Sequence, residues 1–127
     1  MKTKNRSALF LFSVFTLVAF WSIQSTAQDA VHVDPKHHKI EFENDHVRVL
    51  RIDFGPGEIS KLHQHPCVIA IGINSSDLIF HFPDGSSRPT KLMRGQVVVA
   101  KPTTHNPENK TQTSSEVILV ELKDGGC

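Results

Sequence analysis

From Ile40 onward, short runs rich in Val, Ile, Leu and Phe alternate with polar turn clusters every six to ten residues. The runs cover residues 40–43, 46–54, 67–73, 78–82, 90–93, 97–101 and 116–122. Between them lie Asn44-Asp45, Gly55-Pro56-Gly57, Asn74-Ser75-Ser76-Asp77, Pro83-Asp84-Gly85-Ser86 and Arg94-Gly95. Each cluster holds residues that tolerate positive φ or pre-set a turn. The runs favour Val and Ile, which suit half-buried pleats. No window of a dozen residues after Ala27 carries a 3.6-residue apolar period. The pattern predicts a single all-β domain, a sandwich or barrel; closure into a barrel removes exposed strand edges and leaves an interior pocket.

The first 27 residues read differently. Lys2, Lys4 and Arg6 precede an apolar run from Ala8 to Trp21, and Ser25-Thr26-Ala27 follows. This is the layout of a secretory signal peptide cleaved after Ala27. The run is shorter than the roughly 20 residues of a membrane span, and Ser13 and Thr16 dilute it. A secreted or periplasmic protein with no membrane attachment after cleavage is expected. Residues 28–127 then divide into an irregular N-terminal arm (28–39), the barrel (40–123) and a flexible C-terminal tail (124–127). The 14 Lys and Arg fall to eleven without Lys2, Lys4 and Arg6, against 13 Asp and Glu, a net charge of −2. That balance, with Phe42, Phe54, Phe80 and Phe82 as the only remaining large aromatics, disfavours nucleic-acid binding. Export into an oxidising compartment allows Cys67 and Cys127 to join as a disulfide. Alternatively, Cys127 lies on a mobile end and Cys67 is a small buried hydrophobe.

The clearest chemical signal is Gly57-Glu-Ile-Ser-Lys-Leu-His63-Gln-His65. Histidines at i and i+2 of a strand project from one face and can grip one ion between them. A third, His105, follows the glycine-led valine run 95–101 in its own loop. Three imidazoles suit a divalent transition metal and leave its dipositive charge unneutralised.

These segments resemble the two motifs of the cupin family. Gly57-x5-His63-x-His65 matches the first half of the family's first motif, and Gly95-x6-Pro102-x2-His105-x3-Asn109 is similar to its second, with altered spacing. The resemblance covers roughly residues 40–122. It implies a jelly-roll barrel with His63, His65 and His105 as ligands to Fe, Ni, Mn, Cu or Zn, a small-molecule ligand or substrate, and pairing into a homodimer. The family's glutamate falls at Ile69 or Ala70, and by strand parity Ile69 shares the His63/His65 face.

Other residues take supporting or bland roles. Cys67 shares the parity of the histidines and, with Val68, Ile69, Ile71, Val97 and Val99, forms the expected pocket wall. Asn109 is expected to fix its loop by side-chain hydrogen bonds behind the ligands. Glu108 is a candidate general base or a solvated loop charge. His32, His37 and His38 are expected to be exposed, His46 to sit at a strand end, and His81 to face the pocket or solvent. Two functions fit: a three-histidine dioxygenase or isomerase acting on a small oxygenated compound, or a barrel that binds a metal or small molecule without turnover.

Overall fold

The computed structural model describes residues 28–127; the leader expected over residues 1–27 lies outside them. The order of elements is α1 (Ala30–Val33), β1 (His38–Glu43), β2 (Val47–Phe54), β3 (His63–His65), β4 (Val68–Gly72), β5 (Ser76–His81), β6 (Ser87–Leu92), β7 (Val97–Ala100), β8 (Thr103–Glu108) and β9 (Ser115–Leu122). The strands form a five-stranded sheet, β1-β2-β9-β4-β7, and a four-stranded sheet, β3-β8-β5-β6. All paired strands are antiparallel. Most neighbours within a sheet are far apart in sequence, as in a jelly roll.

The turns form where the sequence provides for them. The Asn44 side chain accepts the amides of His46 and Val47 at 2.9 and 2.8 Å, an Asx turn that aims β1 into β2. Gly57 and Gly95 take φ values of +74° and +75°, which only glycine adopts without strain.

The two sheets face each other across Leu50, Ile52, Phe54, Val68, Leu78, Leu92, Val117 and Leu119, all buried. Burying each such side chain stabilises the fold by about 1.5–3 kcal/mol. Strand β9 shows the period-two logic in full, with Ser115, Val117, Leu119 and Glu121 buried and the residues between them half-buried.

Three expectations change. The N-terminal arm is not irregular throughout. Asp29 caps α1 by accepting the amides of Val31 and His32 at 3.0 and 3.2 Å, Ala30 is fully buried, and β1 starts at His38. The C-terminal tail is tied down, since Cys127 forms a disulfide with Cys67, their Cα atoms 5.5 Å apart. His105 lies on strand β8 rather than in a loop.

Candidate metal centre

Strands β3 and β8 pair in a register that sets His63 directly opposite His105. Facing residues of an antiparallel pair point the same way, and both rings are buried. Their centroids are 5.0 Å apart; His65 lies 4.7 Å from His63 and 5.6 Å from His105. The structure therefore brings His63, His65 and His105 together.

It also brings in a fourth ring. His38, expected to be exposed, is 1% exposed, its centroid 4.6 Å from His63 and 5.8 Å from His65. Helix α1 and the turn after it lie against β3, where Gln64 donates its amide to the Gln28 carbonyl at 2.9 Å, and this carries the start of β1 over the histidine strand. The three histidines whose ligand atoms all lie within 4.8 Å of one another are His38, His63 and His65. His105 stands beside this set, its ring edge-on to Phe80 at 4.3 Å.

Each member of the set has one ring nitrogen fixed from behind. His38 Nδ1 donates to the Asp34 carbonyl at 3.1 Å, and His63 Nδ1 to the Lys61 carbonyl at 2.7 Å. His65 Nδ1 donates to the Glu121 carboxylate at 2.7 Å. Carbonyls and carboxylates only accept, so the proton sits on Nδ1 and the lone pair on Nε2 in all three. Nε2 of His38 and of His63 is buried with no hydrogen-bond partner among the described residues, as is Nδ1 of His105. An unmet buried polar group costs about 1–3 kcal/mol, and a cation would satisfy converging lone pairs. Metal-ligating histidines are held in this way, by the other ring nitrogen. The donor set fits a divalent transition ion.

Burial also decides protonation. It pushes the His38 imidazole down to about 4, and the neighbouring His65 adds to the effect. His63 and His105 are pushed down to about 3, by burial first and then by the other rings. These rings are neutral at pH 7 and keep a lone pair to offer. The Glu121 carboxyl, which burial alone would raise, lies below the usual range because His65 and Arg48 donate to it, Arg48 Nε at 2.5 Å. Asp34 is also opposed by burial, and hydrogen bonds from Ser60 and His37 win. Ser60 Oγ donates to Asp34 at 2.6 Å and lies 3.1 Å from His63 Nδ1.

The histidines open into a cavity of about 550 Å³ between the sheets. Val68, Ala70, Leu78, Phe80, Val117 and Leu119 form part of its apolar wall. Of the expected wall, Val68 and Val99 line it; Cys67, Ile69, Ile71 and Val97 do not. The parity argument failed at Pro66-Cys67, which lie between β3 of one sheet and β4 of the other. Counting by twos through that break put the wrong residues inward. Ala70 therefore faces the cavity where Ile69 was expected, and Cys67 is bonded to Cys127.

Glu108 does not line the cavity. Its carboxylate accepts from His81 Nε2 at 2.7 Å and lies 3.4 Å from the Lys110 ammonium. Asn109 is 1% exposed and donates to the Phe54, Gly55 and Thr113 carbonyls at 3.0, 3.1 and 2.8 Å, holding the turn that precedes the histidine strand. His37, also expected at the surface, is buried and bonded through Nδ1 to Asp34 at 2.8 Å. Sequence reasoning missed Glu121. The available signal was a glutamate in phase with the inward residues of β9.

Known structures share this fold. A cupin domain from Bordetella pertussis is 24% identical, with a TM-score of 0.63 over 68% of this chain and 91% of that one. The fold is that of the cupins. A protein with a double-stranded β-helix domain from Klebsiella pneumoniae is 22% identical, with a TM-score of 0.54 over 70% of this chain and 78% of its own. A cupin family protein with a double-stranded β-helix fold from Methanocaldococcus jannaschii is 17% identical, with a TM-score of 0.53 over 67% and 77%. No family model matches the sequence, and no curated protein matches it. In this cupin fold the buried histidines lie at one side of the interior, and the rest of the cavity is apolar.

Proposed function

We propose that this chain is an exported metal-binding cupin in which Nε2 of His38, His63 and His65 holds a divalent transition ion, with His105 beside it, in a cavity that takes a small molecule. The observation that carries the reading is the orphaned pair of buried nitrogens on His38 and His63, in rings whose tautomers are fixed from behind. A bound ion would supply Lewis-acid chemistry, polarising an oxygen of the small molecule. The chain's own residues exclude water with the apolar wall and orient the ligand rings through Asp34, Lys61 and Glu121. The basic leader and the Cys67–Cys127 disulfide support a secreted or periplasmic location.

A three-histidine oxygenase or isomerase fits this cavity, and so does binding without turnover. One observation favours binding: among the described residues no Asp or Glu lines the cavity, so no carboxylate is placed to act as a base. The test is metal analysis of the exported protein isolated from its own host, beside His63→Ala prepared identically. About one ion per chain is expected in the natural protein, as one three-ligand site allows, and background in the variant. Equal, negligible metal in both ends the reading.

A further inference from the structure

The histidines account for one side of the cavity and leave the β6 side unexplained. Arg88, Thr90 and Leu92 follow one another at period two on β6 and all three line the cavity, Arg88 from the exposed end of the strand and Leu92 from its buried end. Arg88 is paired across the strands with Phe80, whose ring meets His105 edge-on at 4.3 Å. The guanidinium lies over the Phe82 ring, 5.6 Å from its centroid, and Phe82 also lines the cavity. Arg88 is thus held along the wall by an aromatic face, in a row that leads to the histidines.

Two groups on this strand lack partners among the described residues. Arg48 and Arg51 are each tied to two carboxylates; Arg88 has no carboxylate within ion-pair distance. The Thr90 hydroxyl oxygen is buried and makes no hydrogen bond, although buried hydroxyls nearly always find one. Lys101 adds positive charge to the lining, in which no described residue is acidic, whereas Lys91 is paired with Asp77 at 3.2 Å. The nearest buried carboxylate to the histidines, Glu121, is already engaged by Arg48 and His65.

We propose, resting on the reading of this cavity as a small-molecule site, that Arg88 and Thr90 form an anion subsite selecting ligands with a carboxylate on an apolar body. The guanidinium offers a planar fork of N–H donors that matches a carboxylate, and the Thr90 hydroxyl donates a further bond. The apolar wall takes the body of the ligand, and the cavity volume lies in the range of small-molecule sites. An uncharged amide of the same shape would find no acceptor-rich partner for its NH₂ group and would lose the charge-assisted bonds.

The probes are 3-phenylpropanoate and its neutral isostere 3-phenylpropanamide, titrated calorimetrically into the protein as isolated and after chelator treatment. The acid is expected to bind at least about tenfold more tightly than the amide in both preparations, the scale of one charge-assisted bond. Arg88→Gln should erase that preference, and Thr90→Val should reduce it by a smaller factor. Arg94→Gln, in an exposed turn outside the cavity, should leave it intact. Equal affinities in the natural protein, binding of neither probe at millimolar concentration, or a preference that survives Arg88→Gln each overturns the proposal. The chelated arm separates the two readings: acid selectivity lost there overturns the Arg88–Thr90 subsite and leaves the metal assignment standing, and metal-free native protein leaves the selectivity test standing.

Discussion

Two histidine pairs, His63/His65 and His37/His38, differ in spacing, and the spacing gives them different work. His63 and His65 are separated by one residue on a strand, so both rings enter the cavity and Gln64 is exposed between them. His37 and His38 are adjacent at the entry to β1, so their rings diverge. His38 points at the other imidazoles, while His37 turns into a network with Asp34 and Glu58, at 2.8 and 3.2 Å, and stacks on Phe54 at 4.6 Å. All four rings are buried, so burial alone does not mark a ligand. A ring nitrogen left without a partner does.

That contrast is broken or upheld most directly by alanine at each of the two adjacent positions. His38→Ala should reduce metal content to the level of His63→Ala and leave a folded domain. His37→Ala should keep its metal and instead lose about 1.5–3 kcal/mol of stability, the worth of a hydrogen bond to a buried carboxylate. Elemental analysis and urea unfolding of both variants read the two effects separately. Full metal in His38→Ala, or none in a folded His37→Ala, reverses the assignment of the pair.

The next largest effect is the pH response of the metal-free domain. His38, His63 and His105 titrate near 4, 3 and 3 when folded and near 6.5 when unfolded. The unfolded chain therefore binds more protons between these limits, and stability falls as pH drops below about 6.5. At pH 5.5 each buried neutral ring costs about 1.4 kcal/mol, roughly 4 kcal/mol for the three. Asp34 and Glu121 have lowered values, so their contributions are lost only as pH falls below the ordinary carboxylate range. Urea midpoints of chelated protein at pH 7 and 5.5 should differ accordingly, and His105→Gln should recover about a third of the drop. A flat profile would mean that the rings are solvated.

Glu121→Gln sharpens the comparison within the strand pair. The amide preserves shape but removes the charge that draws the proton onto His65 Nδ1, while His63 keeps its carbonyl partner. Losing an outer carboxylate typically costs about 10–100-fold in metal affinity, measurable by competition with a chelating dye. Affinity that matches the natural protein would show that His65 needs no such support.

What the sequence disclosed follows from how local each feature is. The strand-and-turn rhythm, the His-x-His face and the glycines at Gly57 and Gly95 depend on neighbours within a few residues, and they agree with the architecture. His105 reached the site through a β3–β8 register that sequence cannot supply, although its motif context marked it. His38 depended on a short helix folding across β3, a tertiary event with no local signature. The misplaced Cys67, Ile69 and Ile71 came from carrying period-two parity through Pro66, where the chain leaves one sheet for the other. Glu121 was in view as a charge in phase with Val117 and Leu119, and a charged residue at an inward position asks for a buried partner.

The smallest expected effect concerns the one carboxylate that sequence motifs pointed to as a base. Glu108 sits three residues past His105, so strand alternation turns it to the opposite face of β8 from the histidine. There it is held below the usual range by the His81 hydrogen bond, with Lys110 adding to the effect. A partly exposed pair of this kind contributes little to stability, and salt screens it further. Glu108→Gln should therefore shift the urea midpoint slightly and leave metal content and ligand affinity unchanged. Loss of metal or of bound small molecule in that variant would place Glu108 in the chemistry after all, and would require β8 to rotate or open when the cavity is filled.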